Sequence, residues 1–398
     1  MPHSIEPKSS IRVVPVVHTK DKSNVKFAAE VYGVDLNNFT DDEFKIIEDS
    51  LHVHKLLIFK EQPQMLSPQQ QYKLTSMFDI NGPGGFAHAG DENVLMVHNG
   101  VEIKGIPQRI ALPCQPEVHV LGRGRVPPNH YQLPDDLDMV GATHPNFHLP
   151  PHIPKEDVEK GASRFYQWHF DAALYDISPP RVGCLLAVRT PKGPDCTVRW
   201  EDDEGKVMKV GPGATAYLAG SSALELLPEE LKKTVMHSSI LYAPKPFKWM
   251  STAHSTPLGH TLATEGLEMP ITEDILADGT KIAYEASKLK TYPMVWTNPK
   301  TGEKSLQVHG QAAWKLYLKD SSEGPTRIVD DLKEVREFMD RIMRPAIVPS
   351  NIYAHHHSEQ DVVLWYNRAL WHSITEFPDS YGPRIMHQCN VAASDDPK

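Results

Sequence analysis

The apolar positions fall into short runs, alternating or fully apolar, separated by stretches rich in Pro and Gly. Phe27–Leu36 reads as a strand and turn. Thr40 then caps a helix, with Glu43 three residues later completing a capping box. Phe44, Ile46, Ile47 and Leu51 supply its apolar face. Lys55–Lys60 reads as a short buried strand, and Ser67-Pro68 opens a second helix, Gln69–Phe78, with Pro at its first position. Residues 80–165 are weakly patterned and rich in Gly, Pro and His, which suits several short strands joined by long loops. Strand-like runs return at Phe165–Phe170, Gly183–Arg189, Thr197–Trp200 and Ala214–Leu218, and Leu224–Val235 reads as a short helix. Residues 245–330 read as an insertion of mixed strands and loops. Leu332, Val335, Phe338, Met339 and Ile342 line one side of a helix, Leu332–Met343, that Pro345 ends. Val362–Tyr366 and Ile385–Val391 are strands that return to the core. The pattern predicts a mainly β protein with flanking helices (α+β), one domain spanning residues 1–398.

Composition narrows the picture. The chain has 398 residues, is 40% hydrophobic and 23% charged, and carries a net charge of −10, which argues against general attraction to nucleic acid or anionic membrane. No apolar run reaches the roughly 20 residues of a membrane span, and the polar first 20 residues lack the apolar core of a signal peptide. Cys114, Cys184, Cys196 and Cys389 are scattered without metal-site spacing, as expected of reduced thiols in a cytoplasmic protein. The 34 prolines favour a loop-rich β protein over a helix bundle.

Candidate chemistry centres on Trp168-His169-Phe170-Asp171. On a strand, His169 and Asp171 point to the same face. One imidazole nitrogen and one carboxylate oxygen can then reach a single divalent metal. A second His from far downstream would complete a facial triad with open positions, the arrangement of non-haem Fe(II) oxygenases. Two other histidine groups compete. His144, His148 and His152 have helical spacing, but Pro145, Pro150 and Pro151 break any such helix. His355-His356-His357 reads as a solvated turn.

The chain resembles the TauD/TfdA-type Fe(II)- and 2-oxoglutarate-dependent dioxygenases. The likeness rests on Ala29–Leu36, on Trp168-His-Phe-Asp171, on Asp361–His372 and on Arg384. Within that family, Trp168–Pro180 and His387–Pro397 are most similar to the fungal xanthine dioxygenase branch. The resemblance implies a double-stranded β-helix, or jelly-roll, core. It implies His169, Asp171 and His372 as Fe(II) ligands, with 2-oxoglutarate and O2 as cosubstrates, and an outcome of succinate, CO2 and an oxidised substrate. Arg384 is implied as the anchor of the far carboxylate, its guanidinium fork matching two carboxylate oxygens. Thr197 is implied as a second cosubstrate contact. Gln388 and Asn390 share the parity of Arg384 and are implied to face the same cavity and bind substrate. Ile374 and Phe377 would line an apolar wall. The partner is then a small polar molecule, a xanthine-like purine by resemblance. The xanthine enzymes use a lysine upstream of the His-X-Asp motif, and this chain has none between Lys104 and Lys155. A second reading is therefore a small amino acid of fungal secondary metabolism, hydroxylated, desaturated or closed into a ring such as an aziridine.

Overall fold

The computed structural model describes residues 11–87, 95–98, 101–202, 205–244, 254–263 and 283–398. The strands, in chain order, begin with β1 (Arg12–Pro15), β2 (Ala29–Tyr32), β3 (Leu56–Phe59), β4 (Leu95–His98), β5 (Val101–Ile106), β6 (Arg109–Leu112), β7 (Gln115–Arg125) and β8 (Asp138–Met139). They continue with β9 (Ala162–Ser163), β10 (Val182–Arg189), β11 (Cys196–Arg199), β12 (Val207–Val210), β13 (Thr215–Ala219), β14 (Ser239–Tyr242), β15 (Thr291–Pro293), β16 (Val295–Thr297), β17 (Lys304–Leu306), β18 (Ala313–Leu318) and β19 (Arg327–Val329). The last four are β20 (Ile352–His355), β21 (Val362–Tyr366), β22 (Leu370–Ile374) and β23 (Arg384–Cys389).

Two sheets make the jelly-roll core. The larger runs β1-β2-β3-β21-β10-β23-β7-β6-β5-β4, with β8 on β7, and the smaller is β20-β13-β22. Leu56 and Ile58, Leu185 and Ala187, Val363 and Trp365, and Met386 point inward from the larger sheet and meet Tyr217, Ala219 and Leu370 of the smaller one. The alternate residues Leu57, Phe59, Cys184, Leu186, Leu364 and Cys389 face outward against Phe44, Ile47, Leu51 and Leu74. Those four side chains belong to the helices Asp41–His54 and Pro68–Ser76. Strands covered on both faces need apolar residues at both parities, which explains the unbroken runs at 56–59 and 182–188.

Several local signals act as read. Thr40 Oγ1 accepts from the Glu43 amide while the Glu43 carboxylate accepts from the Thr40 amide. Ser67 caps the helix Pro68–Ser76, and Leu332–Met343 is helical throughout. Others differ. Phe165–Phe170 is extended but makes isolated bridges, Phe165 to Thr375 and His169 to His372, in place of a continuous ladder, and between them the Trp168 amide turns to the Gly259 carbonyl. Residues 224–235 are split into the helices Gly220–Glu225 and Glu229–His237, with Pro228 capping the second. Residues 12–15, in a stretch with no strand signal, pair with β2. His355 and His357 are buried, not solvated. Of the stretch 245–330, residues 245–253 and 264–282 lie outside the described residues. Its remainder supplies β15, β18 and β19, which pair with β14 or with each other, and the hairpin β16–β17.

Candidate metal and cosubstrate site

His169 and Asp171 reach the site from an extended segment whose alternate residues, Trp168 and Phe170, are buried in the apolar cluster on its other side. Trp168 packs on Phe165 and Phe170 on Trp296, each at 4.9 Å between ring centres. This locks the parity that sends the imidazole and the carboxylate the opposite way. His372 comes from β22, and the two histidines are tied backbone to backbone. The His372 amide donates to the His169 carbonyl at 2.8 Å and the His169 amide donates back at 3.1 Å. Asn367 fixes Asp171. Its Oδ1 accepts from the Asp171 amide and its Nδ2 donates to the Asp171 carbonyl, both at 2.8 Å.

One ligand atom from each of His169, Asp171 and His372 lies within 4.8 Å of the others. His169 Nε2 stands 3.8 Å from Asp171 Oδ1, and His372 Nε2 3.6 Å from Oδ2. His169 Nδ1 donates to the Gln167 carbonyl at 2.9 Å, which leaves Nε2 as the nitrogen with its lone pair toward the site. Asp171 is 1% exposed. A carboxylate that deep needs a compensating positive charge. Two imidazoles and a carboxylate converging on one point are a fitting donor set for Fe(II). The Gln388 amide lies 3.5 Å from both Asp171 oxygens and supports the carboxylate from outside the triad.

Arg384 opens β23 and is buried at 3% exposure. Its Nε donates to the Gly213 carbonyl at 2.8 Å and an Nη donates to Thr215 Oγ1 at 3.3 Å. Thr215 Oγ1 also meets His357 Nε2 at 2.9 Å. A Cβ on Gly213 would sit 2.8 Å from Arg384 Cδ, and its φ of +63° is one that L side chains rarely adopt, so only glycine leaves room for this arginine. Burial pulls the Arg384 pKa down to about 10. Among the described residues no carboxylate pairs with it. A buried guanidinium without an anion is a site prepared for one. Tyr217 Oη is also fully buried and has no hydrogen-bond partner among the described residues. Burial raises its pKa well above the usual range, so it stays a phenol able to donate. Tyr217 is opposite His372 on β22 and two residues along β13 from Thr215, the partner of Arg384. An orphaned cation and an orphaned donor beside the triad fit a dicarboxylate such as 2-oxoglutarate.

The structure separates the other expected residues. Gln388 follows Arg384 along the inner face of β23 and stands at the triad, while Asn390 lies one residue beyond the strand's end. Thr197 points outward, because Cys196 and Val198 take the buried parity of β11. Its Oγ1 accepts from Lys209 Nζ at 2.7 Å and lines a surface cavity with Arg199 and Glu201. Thr215 is the threonine that touches Arg384. Ile374 is paired with Thr215 across β13 and β22, and Phe377 lies by Gly213 with the Arg123 guanidinium 4.1 Å from its ring centre. Both therefore stand at the Arg384 end of the cavity, away from Asn390.

Thr215, Tyr217 and His309 escaped the sequence reading, and His357, read as part of a solvated turn, is buried beside Thr215. Tyr217 and Thr215 are set by strand register alone, opposite His372 and Ile374. His309 lies in the stretch read as an insertion, 6.0 Å from His169 between ring centres, and burial keeps it neutral with a pKa near 3. The competing histidines are structural. His144 pairs with Glu376 at 2.7 Å, His148 meets the carbonyls of Thr256 and Phe165, and His152 meets the carbonyl of His148.

The taurine catabolism dioxygenase TauD, TfdA family model matches residues 18–390. The alpha-ketoglutarate-dependent xanthine dioxygenase of Emericella nidulans is 38% identical over 374 residues, 94% of each chain. That of Schizosaccharomyces pombe is 36% identical, over 97% of this chain and 89% of its own. A solved taurine dioxygenase from Burkholderia xenovorans shares the fold at a TM-score of 0.52 and 18% identity, over 98% of this chain and 91% of its own. With a family model spanning nearly its whole length and relatives this similar, the chain belongs to the TauD/TfdA family and is an Fe(II)- and 2-oxoglutarate-dependent dioxygenase.

Proposed function

We propose that this enzyme oxidises a small polar molecule, xanthine being the first candidate, at a metal held by His169, Asp171 and His372. The buried, unpaired Arg384 guanidinium carries the cosubstrate half of the reading. When bound, Fe(II), 2-oxoglutarate and O2 supply the oxidising power, with succinate and CO2 as coproducts. Arg384, Thr215 and Tyr217 hold the cosubstrate: the guanidinium takes the far carboxylate, His357 orients the Thr215 hydroxyl, and Tyr217 donates its phenol proton into a hydrogen bond. Burial on both sides excludes water from that end.

The opposite end of β23 receives the substrate. Gln388 and Asn390 offer amide donors and acceptors there, which suit the edge of a purine. Gln388 also touches Asp171, so substrate binding and the metal ligand share one side chain. Xanthine is placed first because the relatives at 38% and 36% identity act on it. The four cysteines are free and three of them buried, which favours a reducing compartment, the cytoplasm. No described helix is long and apolar enough to cross a membrane.

The test is succinate formation by Fe(II)-loaded enzyme with and without xanthine. Stimulation with matching urate release supports the reading. Slow 2-oxoglutarate consumption that xanthine leaves unchanged would remove xanthine as substrate.

A further inference from the structure

The connection between β17 and β18 runs alongside the proposed metal ligands. Residues 305–313 are buried throughout. The run is pinned at both ends: the Gln307 amide donates to the Met294 carbonyl at 2.9 Å, and the Ala312 carbonyl accepts from the Ala243 amide at 2.9 Å. Its two glutamines, Gln307 and Gln311, are fully buried. Between them the His309 ring stands 6.0 Å from that of His169 and 5.9 Å from that of Phe170, centre to centre.

Each glutamine directs its amide at backbone tied to a ligand. Gln307 Nε2 donates to the Asn367 carbonyl at 2.7 Å and to the Leu370 carbonyl at 3.0 Å. That clamps the turn from β21 into β22. Asn367 holds both backbone groups of Asp171 through its side chain, and Leu370 opens the strand that carries His372. Gln311 Nε2 donates to the Gly259 carbonyl at 3.0 Å. The same carbonyl accepts from the amide of Trp168, the residue before His169, at 2.7 Å. Gly259 has a φ of +75°, and a Cβ there would sit 2.5 Å from the Tyr166 carbonyl oxygen, so this strut is seated directly on the ligand segment. The Oε1 atoms of both glutamines are buried with no partner among the described residues. A buried acceptor left open destabilises a fold, and methionine would fill similar space without one. What the two side chains supply is position for the carbonyls they hold.

We propose that Gln307 and Gln311 are positioning residues for the metal site, the first setting Asp171 and His372, the second His169. The inference rests on the reading of those three side chains as the ligands. His169 and His372 are already tied to each other by two backbone hydrogen bonds. The glutamines tie that pair, and Asp171 with it, to one buried run on its flank. Both ligand segments are thereby referred to the same support, and neither can slide without breaking a bond to it. Groups standing behind the ligands of a metal set its affinity by roughly 10- to 100-fold.

Co(II) titrated into the full chain is the probe, because its visible spectrum reports both occupancy and ligand geometry. Gln307→Met should raise the Kd for Co(II) roughly tenfold or more and shift the d–d bands of the loaded protein. Gln311→Met, with one bond to lose, should act in the same direction by a smaller factor. Gln71 is the control. It is also fully buried, and its Nε2 also donates to two carbonyls, those of Cys184 and His387, but neither belongs to a ligand segment. Gln71→Met should leave the Kd and the spectrum as in the wild type. Asn367→Ala cuts the link from Gln307 to Asp171, so adding Gln307→Met to it should weaken binding by less than Gln307→Met does alone. Wild-type Kd and spectrum in both Gln307→Met and Gln311→Met, or an equal loss in Gln71→Met, overturns the inference. If Gln307→Met does not fold, Gln311→Met compared with Gln71→Met decides it. Failure of the wild type to bind Co(II), or binding retained by His372→Ala, would instead overturn the ligand set.

Discussion

Replacing Arg384 by Met tests the cosubstrate anchor in two opposite directions. Without 2-oxoglutarate, the guanidinium is buried against a carbonyl and a hydroxyl, its hydrogen-bond partners among the described residues. A pKa pulled from 12.5 to about 10 corresponds to about 3 kcal/mol of lost solvation, since each pKa step is about 1.4 kcal/mol. Met fills similar space and removes that cost. It also forfeits the bonds to Gly213 and Thr215, about 1 kcal/mol each. The difference, about 1 kcal/mol, favours the variant, so the cosubstrate-free Arg384→Met protein should melt at or slightly above the wild-type temperature. Binding should move the other way. Losing the partner of a buried carboxylate costs roughly 2–5 kcal/mol, or about 30- to 5,000-fold in Kd. Titration calorimetry of 2-oxoglutarate into anaerobic Mn(II)-loaded protein reads the second effect, and thermal melting reads the first. A Kd within threefold of wild type would refute the anchor. A melting temperature many degrees lower would refute the claim that the guanidinium is uncompensated.

His169→Ala and His372→Ala should each abolish stoichiometric Fe(II) binding by equilibrium dialysis, whereas His152→Ala should retain it. Tyr217→Phe removes a buried hydroxyl that has no partner, so the melting temperature should hold or rise by about a degree while 2-oxoglutarate affinity falls roughly tenfold or more, a hydrogen bond to a charged group being worth about 1.5–3 kcal/mol. Burial lowers the pKa of His130 and of His148 from 6.5 to about 4. The unfolded chain therefore takes up these protons first as pH falls, and stability is full above pH 6.5 and drains between 6.5 and about 4, by about 1.4 kcal/mol per pH step per histidine. His130→Gln should flatten the slope of melting temperature against pH in that window; an unchanged slope would show that His130 is protonated in the folded state.

What could be read in the sequence was what depends on neighbours along the chain. The capping box at Thr40, the proline-started helix at Ser67 and the amphipathic run Leu332–Met343 are local, and they form as read. The shared parity of Arg384 and Gln388 follows from the pleat. Thr197 fails because the buried parity of a four-residue strand is set by Cys196 and Val198, which the motif spacing does not see. Thr215 and Tyr217 stayed hidden because their place depends on the pairing of β13 with β22, some 150 residues away. His355 and His357 were misjudged for a similar reason. Three histidines in a row look hydrophilic, but β20 ends against β13 and turns two of them inward.

The position of β23 also governs how the protein is made. It is the last strand of the chain, yet it lies in the middle of the larger sheet, between β10 and β7. During synthesis β10 is translated about 195 residues, and β7 about 260 residues, before the segment that joins them. Until it arrives, both present bare backbone edges, one flanked by the apolar run Val182–Val188, and such edges invite pairing with other chains. The same late strand brings Arg384 and Gln388, and β22 brings His372, so on the proposed ligand set the nascent chain holds no complete metal site to stabilise it. Slow synthesis at low temperature and a chaperone that shields β10 should therefore raise the soluble yield more than added iron does.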